Sequence, residues 1–489
     1  MNHQHKLLSD LLSPFQLTTE ENPVITSIET DSRKVKPGSL FICIRGYTVD
    51  GHQYVQEAKD NGAVAILAEK QVGIAGIPTI LLPDTKQAAG KIADFFYDHP
   101  SQKMRVYGIT GTNGKTTTTQ LSYDLFRAAG RRTGMISTVG ALIDGQRFET
   151  PNTTPEAVIL HRLLHEMVNN GVTDCMLEVS SHALVEGRVE GVSFHAAAFT
   201  NLSHDHLDYH QSMEEYAEAK GMLFQQVARN DGKGLVLNEE DAASHVMERA
   251  GANVPVTWYS TKIESEASIV VEWREESVNV RIDGTTTEVP IALLGNFNAA
   301  NLAAAIGLMK TGEVNMYELI RHIPSLRLPK GRLERLSFEG TEIYIDYAHT
   351  PDGLRKCLEA LSVSNEALYV VLSAAGERDR TKRQEMGRIA AKYCAGIIVT
   401  VHDTRREDPR QIIDELSVDI SSDKIISCHV DRKNALLAAA EIALEGKRVV
   451  IVGKGHEEIE RIGTKGVPFN ETKILLAELG RLKGKESAI

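Results

Sequence analysis

Short apolar runs alternate with longer stretches of helical periodicity through most of this chain. The runs at 105–110, 174–180, 196–201 and 234–238 are apolar at successive positions and partly β-branched. Strands buried on both faces read this way, so they predict parallel strands of a central α/β unit. A second series at 342–348, 367–374, 396–401, 424–430 and 448–453 also alternates with helical segments, predicting a second doubly wound unit. The stretch 268–290 alternates polar and apolar residues between charged, glycine-marked turns, as an antiparallel hairpin inserted in the central unit would. Residues 1 to about 100 form a smaller mixed unit. Turn chemistry at Asp98-His99-Pro100-Ser101 and at Pro329-Lys330-Gly331 divides the chain into 1–101, 102–330 and 331–489.

Composition narrows the class. A chain of 489 residues exceeds what one core serves and implies roughly two to four domains. No apolar stretch approaches the ~20 residues of a membrane span, and the polar start Met1-Asn2-His3-Gln4-His5-Lys6 is no secretory signal. A net charge of −12 argues against a nucleic-acid binder, which needs a basic face. Such a protein must concentrate positive charge locally, with metal ions, to hold anionic nucleotides. The scattered Cys43, Cys175, Cys357, Cys394 and Cys428 suit buried thiols in a reducing cytoplasm.

The most specific chemistry lies at 105–119. A β-rich run ends at Thr110, a glycine turn follows, and Lys115, Thr116 and Thr117 open a helix. Gly111 and Gly114 let the N–H groups of Gly111, Thr112, Asn113 and Gly114 turn onto a phosphate. Lys115 brings a point charge to the outer phosphates, and the Thr116 hydroxyl can ligate Mg²⁺. Gly108 stands one residue too far upstream for the usual G-x-x-x-x-G-K-T, leaving Gly-x-x-Gly-Lys-Thr. The expected fold is α/β in three domains: a small mixed N-terminal domain, a central P-loop parallel-sheet ATPase and a C-terminal Rossmann-like domain.

A second cluster follows. Glu178 closes a strand, at the sheet edge that meets ligands, and could share the magnesium with Thr116. His204, His206 and His210 are dense enough to suggest zinc, but they have no complete ligand set and no cysteine support. Surface histidines with one metal contact, through His206, are expected instead. Lys220 lies in a helical run and by itself reads as a solvated lysine.

These motifs, in order, resemble the Mur ligase family: Gly-Thr-Asn-Gly-Lys-Thr-Thr at 111–117, Glu-Val-Ser-Ser-His at 178–182 and Thr-Asn-Leu-Ser-x-Asp-His-Leu-Asp-Tyr-His at 200–210. Gly-Asn-Phe-Asn-Ala-Ala-Asn at 295–301, Gly-Arg-Leu-Glu at 331–334, Asp-Tyr-Ala-His-Thr-Pro-Asp at 346–352 and Gly-Lys-Gly-His-Glu at 453–457 agree. Asp31-Ser32-Arg33 and Asp50-Gly51-His52 carry the first-domain pattern of the branch that adds the third residue of a peptidoglycan precursor. The resemblance implies an ADP-forming amide ligase that extends UDP-N-acetylmuramoyl-L-Ala-D-Glu through an acyl phosphate. Lys115, Lys220 and His206 would be catalytic, with Lys220 carbamylated, so that a cation becomes a carboxylate-like anion beside Mg²⁺. Thr116, Glu178, His206 and Lys220 would serve the metal. Asn298 and Asn301 would take the adenine side of ATP. Arg332, Asp346, Tyr347 and His349 would close on the nucleotide from the C-terminal domain. Ser32, Asn152, Thr153, Thr154, Ser180, Glu186 and Arg188 would bind the muramoyl-dipeptide, with Ser32 at the uridine diphosphate end. A cytoplasmic monomer with no membrane insertion is expected.

The amino-acid pocket departs from the family pattern. Diaminopimelate-adding members read Asp-Asn-Pro-Arg where this chain has His402-Asp403-Thr404-Arg405. Arg405 suits the distal carboxylate of diaminopimelate, which lysine lacks. Asp403 should repel that carboxylate, or else pair with Arg405 and orient it. Gly453 and Glu457 match the distal end and Arg378 the near carboxylate. Ala375-Gly376 for Gly-Gly, Gln384 for proline and Glu186 for glutamine are further departures. They leave open L-lysine addition, or a divergent paralogue with another amino acid or acceptor. Folylpolyglutamate synthase lacks the first-domain pattern, and a non-catalytic P-loop regulator has no use for His206, Lys220 and an amino-acid pocket.

Overall fold

A computed structural model describes residues 5–46, 49–207, 209–362 and 366–484. Its three main sheets follow one another along the chain. The N-terminal sheet has four parallel strands, Ser27–Glu29, Ser39–Ile42, Ala63–Ala68 and Thr79–Leu81. The helix Thr85–Phe96, capped by the Asp84 side chain, covers it with Ala88, Ile92 and Phe96.

The central sheet has eleven strands. Arg105–Thr110 lies between Asp174–Glu178 and Phe194–Phe199, parallel to both, so chain order reverses at its C-terminal end. Open α/β sheets bind ligands at such a switch point. Residues 268–290 give three strands, Ile269–Trp273, Ser277–Ile282 and Thr285–Pro290, where the alternation suggested one inserted hairpin. The first of them pairs parallel with Val256–Ser260, so the segment extends the main sheet. Ile269, Val271, Val278 and Val280 share a core with Leu302 and Ile306 of the helix Phe297–Thr311, and burial of that face ties the segment to the sheet.

The C-terminal sheet runs Glu334–Phe338, Thr341–Asp346, Arg448–Val452, Leu368–Ala375, Gly396–His402 and Ile425–His429. All neighbours are parallel except the first pair. A small hairpin, Ile459–Ile462 with Lys465–Pro468, reaches back to Arg405. Among the described residues no helix is long and apolar enough to cross a membrane.

Candidate active site

The phosphate loop forms because the chain leaves the central strand at Gly111 (φ +148°) and enters the helix Lys115–Ala128 from Gly114 (φ +85°). A Cβ at Gly111 would lie 1.9 Å from Thr200 Oγ1, and one at Gly114 would lie 2.2 Å from Asn301 Oδ1. Only glycine fits either place. Lys115 donates to the carbonyls of Gly111 (3.0 Å) and Thr112 (2.9 Å), so its charge curls over the loop it serves. Burial pushes its pKa down.

Glu178 is a buried carboxylate whose hydrogen-bond partners are all neutral. It accepts from the Thr116 hydroxyl (3.1 Å), the Thr138 N–H (2.9 Å) and the Thr138 hydroxyl (3.0 Å). A buried anion so placed calls for a cation, and with the Thr116 oxygen it offers hard donors that fit Mg²⁺.

Lys220 is where the residue-type expectation fails. The helix Met213–Arg229 is capped by Ser212 and buries Tyr216, Leu223, Phe224 and Val227 on one face. Lys220, four residues beyond Tyr216, belongs to that face and is 1% exposed. Its ammonium lies 4.3 Å from the Tyr216 ring centre and donates to Gly111 O at 2.8 Å. Burial, then Lys115, pushes its pKa well below the ordinary lysine value.

The histidines also differ from the surface set expected. His204 is exposed and faces Asp379 at 3.4 Å. His206 adopts φ +55°, 3.3 Å from Asp205 and ring to ring with His182 at 4.8 Å. Its pKa is pushed down to about 3, by burial first. His210 is buried, stacked on Tyr216 and 3.0 Å from Ser181 Oγ. Among the described residues no group of three or more His, Cys, Asp or Glu side chains is arranged as a metal cluster. Asp208 of this motif lies outside the described residues.

The C-terminal sheet closes on this edge. Arg332 donates to Thr116 Oγ1 at 3.2 Å and stacks on Tyr347 at 4.3 Å. Asn113 donates to Asp352 at 3.1 Å, and His349 and Lys382 each stand 3.9 Å from Asp205. Asp346 is pinned by the N–H groups of Leu333 (2.7 Å) and Ala348 (2.8 Å), and burial raises its pKa. Asn301 donates to Asn298 at 2.8 Å, and Asn298 to Leu294 O at 2.6 Å.

A cleft of about 1220 Å³ gathers Thr112 to Thr117, Asn152, Thr153, Thr154, Glu178, Ser180, Glu186, Arg188, His206, Asn298, Asn301, Arg332, Asp346, Tyr347, His349 and Arg378. Gly111 and Lys220 underlie it rather than line it. Ser180 doubles as the cap of the helix Ser181–Val185. Arg188 is already paired with Glu186 (2.6 Å) and Glu156 (3.2 Å). Ser32 is not brought to the cleft; its hydroxyl donates to Glu57 at 2.6 Å within the N-terminal domain.

A second cavity of about 150 Å³ gathers Arg378, Asp403, Arg405, Gly453 and Glu457. It shares Asp205, His206, Tyr347, His349 and Arg378 with the first, so the two meet there. Asp403 neither pairs with Arg405 nor stands as a free repelling charge. Its Oδ1 accepts from the wholly buried Lys454 ammonium at 3.0 Å and from the Arg461 N–H at 3.0 Å. Arg405 turns the other way, onto Gly376 O at 2.9 Å. Lys454, Asp205, Arg461, Lys382 and Thr138 were not singled out from sequence. Lys454 and Asp205 sat inside quoted motifs, whereas the other three carry no local signal.

Comparison with known proteins agrees with this architecture. Three family models match: "Mur ligase family, catalytic domain" over residues 24–97, "Mur ligase middle domain" over 109–309 and "Mur ligase, glutamate ligase domain" over 331–455. The chain is 38% identical to the UDP-N-acetylmuramoyl-L-alanyl-D-glutamate–2,6-diaminopimelate ligase of Bacillus licheniformis, covering 98% of this chain and 99% of that one. It is 39% identical to the protein of the same name from Listeria monocytogenes serovar 1/2a, covering 95% and 96%. A solved ligase of that name superposes with TM-score 0.68 at 30% identity, covering 98% of this chain and 100% of that one. A folylpolyglutamate synthase of Mycobacterium tuberculosis shares the fold at 16% identity, TM-score 0.64, over 82% of this chain and 96% of its own. The chain belongs to the Mur ligase family.

Proposed function

We propose that this chain is an ADP-forming ligase of peptidoglycan synthesis. It joins a third amino acid, meso-diaminopimelate, to UDP-N-acetylmuramoyl-L-Ala-D-Glu at the expense of ATP, as a cytoplasmic monomer. The observation that carries the reading is the junction of the two cavities at Asp205, His206, Tyr347, His349 and Arg378. Acceptor and triphosphate fit the large cleft, and the incoming amine reaches the same point from the small one.

The chemistry is mostly charge compensation and positioning. The acceptor carboxylate attacks the γ-phosphorus, ADP leaves, and the amine displaces phosphate from the acyl carbon. Lys115 and the loop N–H groups hold the β/γ end, and Arg332 adds charge from the opposite wall. Thr116 and Glu178 would hold magnesium, with His206 and a carbamylated Lys220 beside a second ion, and the metal would supply further charge neutralisation. The depressed pKa of Lys220 supports its carbamylation, since only a neutral amine attacks CO₂. Arg378 takes the near carboxylate of the amino acid, with Arg405, Gly453 and Glu457 at its distal end. Asn152, Thr153, Thr154, Ser180 and Arg188 hold the muramoyl-dipeptide, and Asn298 and Asn301 the base.

L-Lysine is the second reading, favoured only by the acidic Asp403 and Glu457 near the distal end. The match of the N-terminal family model supports a uridine-linked acceptor over a folate. Phosphate release with UDP-N-acetylmuramoyl-L-Ala-D-Glu, ATP and a panel of amino acids tests the proposal. Release with none of them defeats it.

A further inference from the structure

Resting on that reading, we propose that Arg461 is a second specificity residue, which with Arg405 forms a two-guanidinium seat for a distal carboxylate on the incoming amino acid. The backbone fixes the two arginines side by side. The Arg405 N–H donates to Arg461 O at 3.0 Å, the Gly463 N–H donates to Arg405 O at 2.7 Å, and Arg405 bridges Ile462. Both residues line the small cavity together with Arg378, and their guanidinium groups are close enough for Arg461 to lower the Arg405 pKa. Arg405 spends one nitrogen on the carbonyls of Gly376 (2.9 Å) and Glu377 (3.4 Å) and keeps its remaining N–H groups. Among the described residues Arg378 and Arg461 form no ion pair.

Asp403, which lines the same cavity, is committed to Lys454 and to the Arg461 N–H. Glu457 accepts from Tyr347 at 3.2 Å and lies 3.5 Å from Lys454. Asp379 faces His204, and Asp205 faces His206, His349 and Lys382. Asp403 and Glu457 are taken up by Lys454 and Asp205 by Lys382, and Arg378, Arg405 and Arg461 stand as neighbouring cations on the cavity wall. Burial, then Arg378 and Arg461, lowers the Arg405 pKa, and together they outweigh the opposing pull of Asp403 and Glu377. An amino acid bearing a carboxylate at each end neutralises this set, the near one on Arg378 and the distal one on Arg405 and Arg461. One bearing only a distal ammonium leaves it uncompensated.

The test uses the full chain, ATP, Mg²⁺ and the UDP-linked dipeptide, with meso-diaminopimelate, L-2-aminopimelate (distal carboxylate, no distal ammonium) and L-lysine. Wild type should use the two dicarboxylates and prefer both to lysine. Arg461→Leu should lower the ratio of kcat/KM for each dicarboxylate to that for lysine about tenfold, chiefly through KM, and Arg461→Lys should recover part of the loss. Arg461 is exposed on its strand, so the substitution should leave the fold intact. A ratio in Arg461→Leu within about twofold of wild type, or an equal fall for all three amino acids, overturns the proposal. A wild type that ligates none of the three but still binds ATP defeats the ligase reading itself, which distinguishes the two failures.

Discussion

Replacing Asp403 by Asn tests the most consequential difference between the sequence pattern and the structure. Read by residue type, Asp403 is a charge beside Arg405 that blunts selection of a distal carboxylate, and removing it should sharpen diaminopimelate preference. In the structure its charge is spent on Lys454, which is wholly buried and keeps only Ile459 O at 2.7 Å and Glu457 at 3.5 Å if Asp403 is neutralised. Breaking a buried pair from one side costs about 3–5 kcal/mol; the two remaining acceptors and the new amide oxygen bring this to about 2–3 kcal/mol. For a unit of this size each kcal/mol lowers Tm by roughly 2–4 °C, so the melt should fall by about 4–12 °C. The assay is thermal denaturation of Asp403→Asn, Lys454→Met and the double variant. Removing both charges leaves neither member of the buried pair without its partner, and only the partly exposed Glu457 loses a longer contact, so the double variant should cost less than the sum of the singles. Amino-acid preference in Asp403→Asn should not sharpen. An unchanged melt, strict additivity, or a clear gain in diaminopimelate preference would refute the ion-pair account.

Four further outcomes are expected. Lys115→Ala should lower ligation by about two to three orders of magnitude with the fold retained, since it removes a cation from the phosphate end; near-normal phosphate release would sink the phosphate-loop assignment. Lys220→Ala should be nearly inactive and partly rescued by short carboxylates, and a mass spectrum of active, bicarbonate-equilibrated protein showing only unmodified Lys220 would defeat the carbamate. Glu186→Gln removes one of the two carboxylates on Arg188 and should lower KM for the UDP-linked dipeptide by about threefold to tenfold; an unchanged or higher KM would show that Arg188 does not grip the acceptor. Arg405→Ala should erase the preference for diaminopimelate over L-lysine in competition assays, and retention of that preference would remove Arg405 from the distal seat.

The strands of the two large sheets were legible because buried parallel strands are apolar at successive positions, a pattern independent of distant partners. The phosphate loop was legible for a related reason: Gly111 and Gly114 announce backbone geometry that no other residue adopts there. The extent of segment 268–290 was not, because its alternation shows one solvated face but not which sheet receives the other. Residue type alone makes Lys220 a solvated lysine, whereas the helical period from Tyr216 to Phe224 puts it on the buried face. The partner of Asp403 is beyond reach, since Lys454 is 51 residues away and meets it only through the sheet that holds Gly396–His402 and Arg448–Val452 on either side of Leu368–Ala375. Ser32 shows the converse. Its motif registers with the family, while its hydroxyl donates to Glu57 and it does not line the cleft.

The place of strand Arg448–Val452 in its sheet has a consequence for biosynthesis. This strand, the last of the six in chain order, lies inside the sheet, paired to Thr341–Asp346 on one side and Leu368–Ala375 on the other. Chains emerge from the ribosome N-terminal end first, and domains generally fold as units in that order. The phosphate loop and its eleven-stranded sheet can therefore be complete while the C-terminal sheet is still two separate halves. Arg332, Asp346 and Tyr347 have left the ribosome by then, at the open end of a two-stranded hairpin that residues 448–452 have yet to join to the rest of the sheet. Lys454 and Glu457 arrive directly behind that strand. The seam that completes the sheet thus also delivers the wall of the small cavity that Gly453 and Glu457 form, and a nascent chain stalled before it would hold a formed glycine loop facing an unfinished cavity.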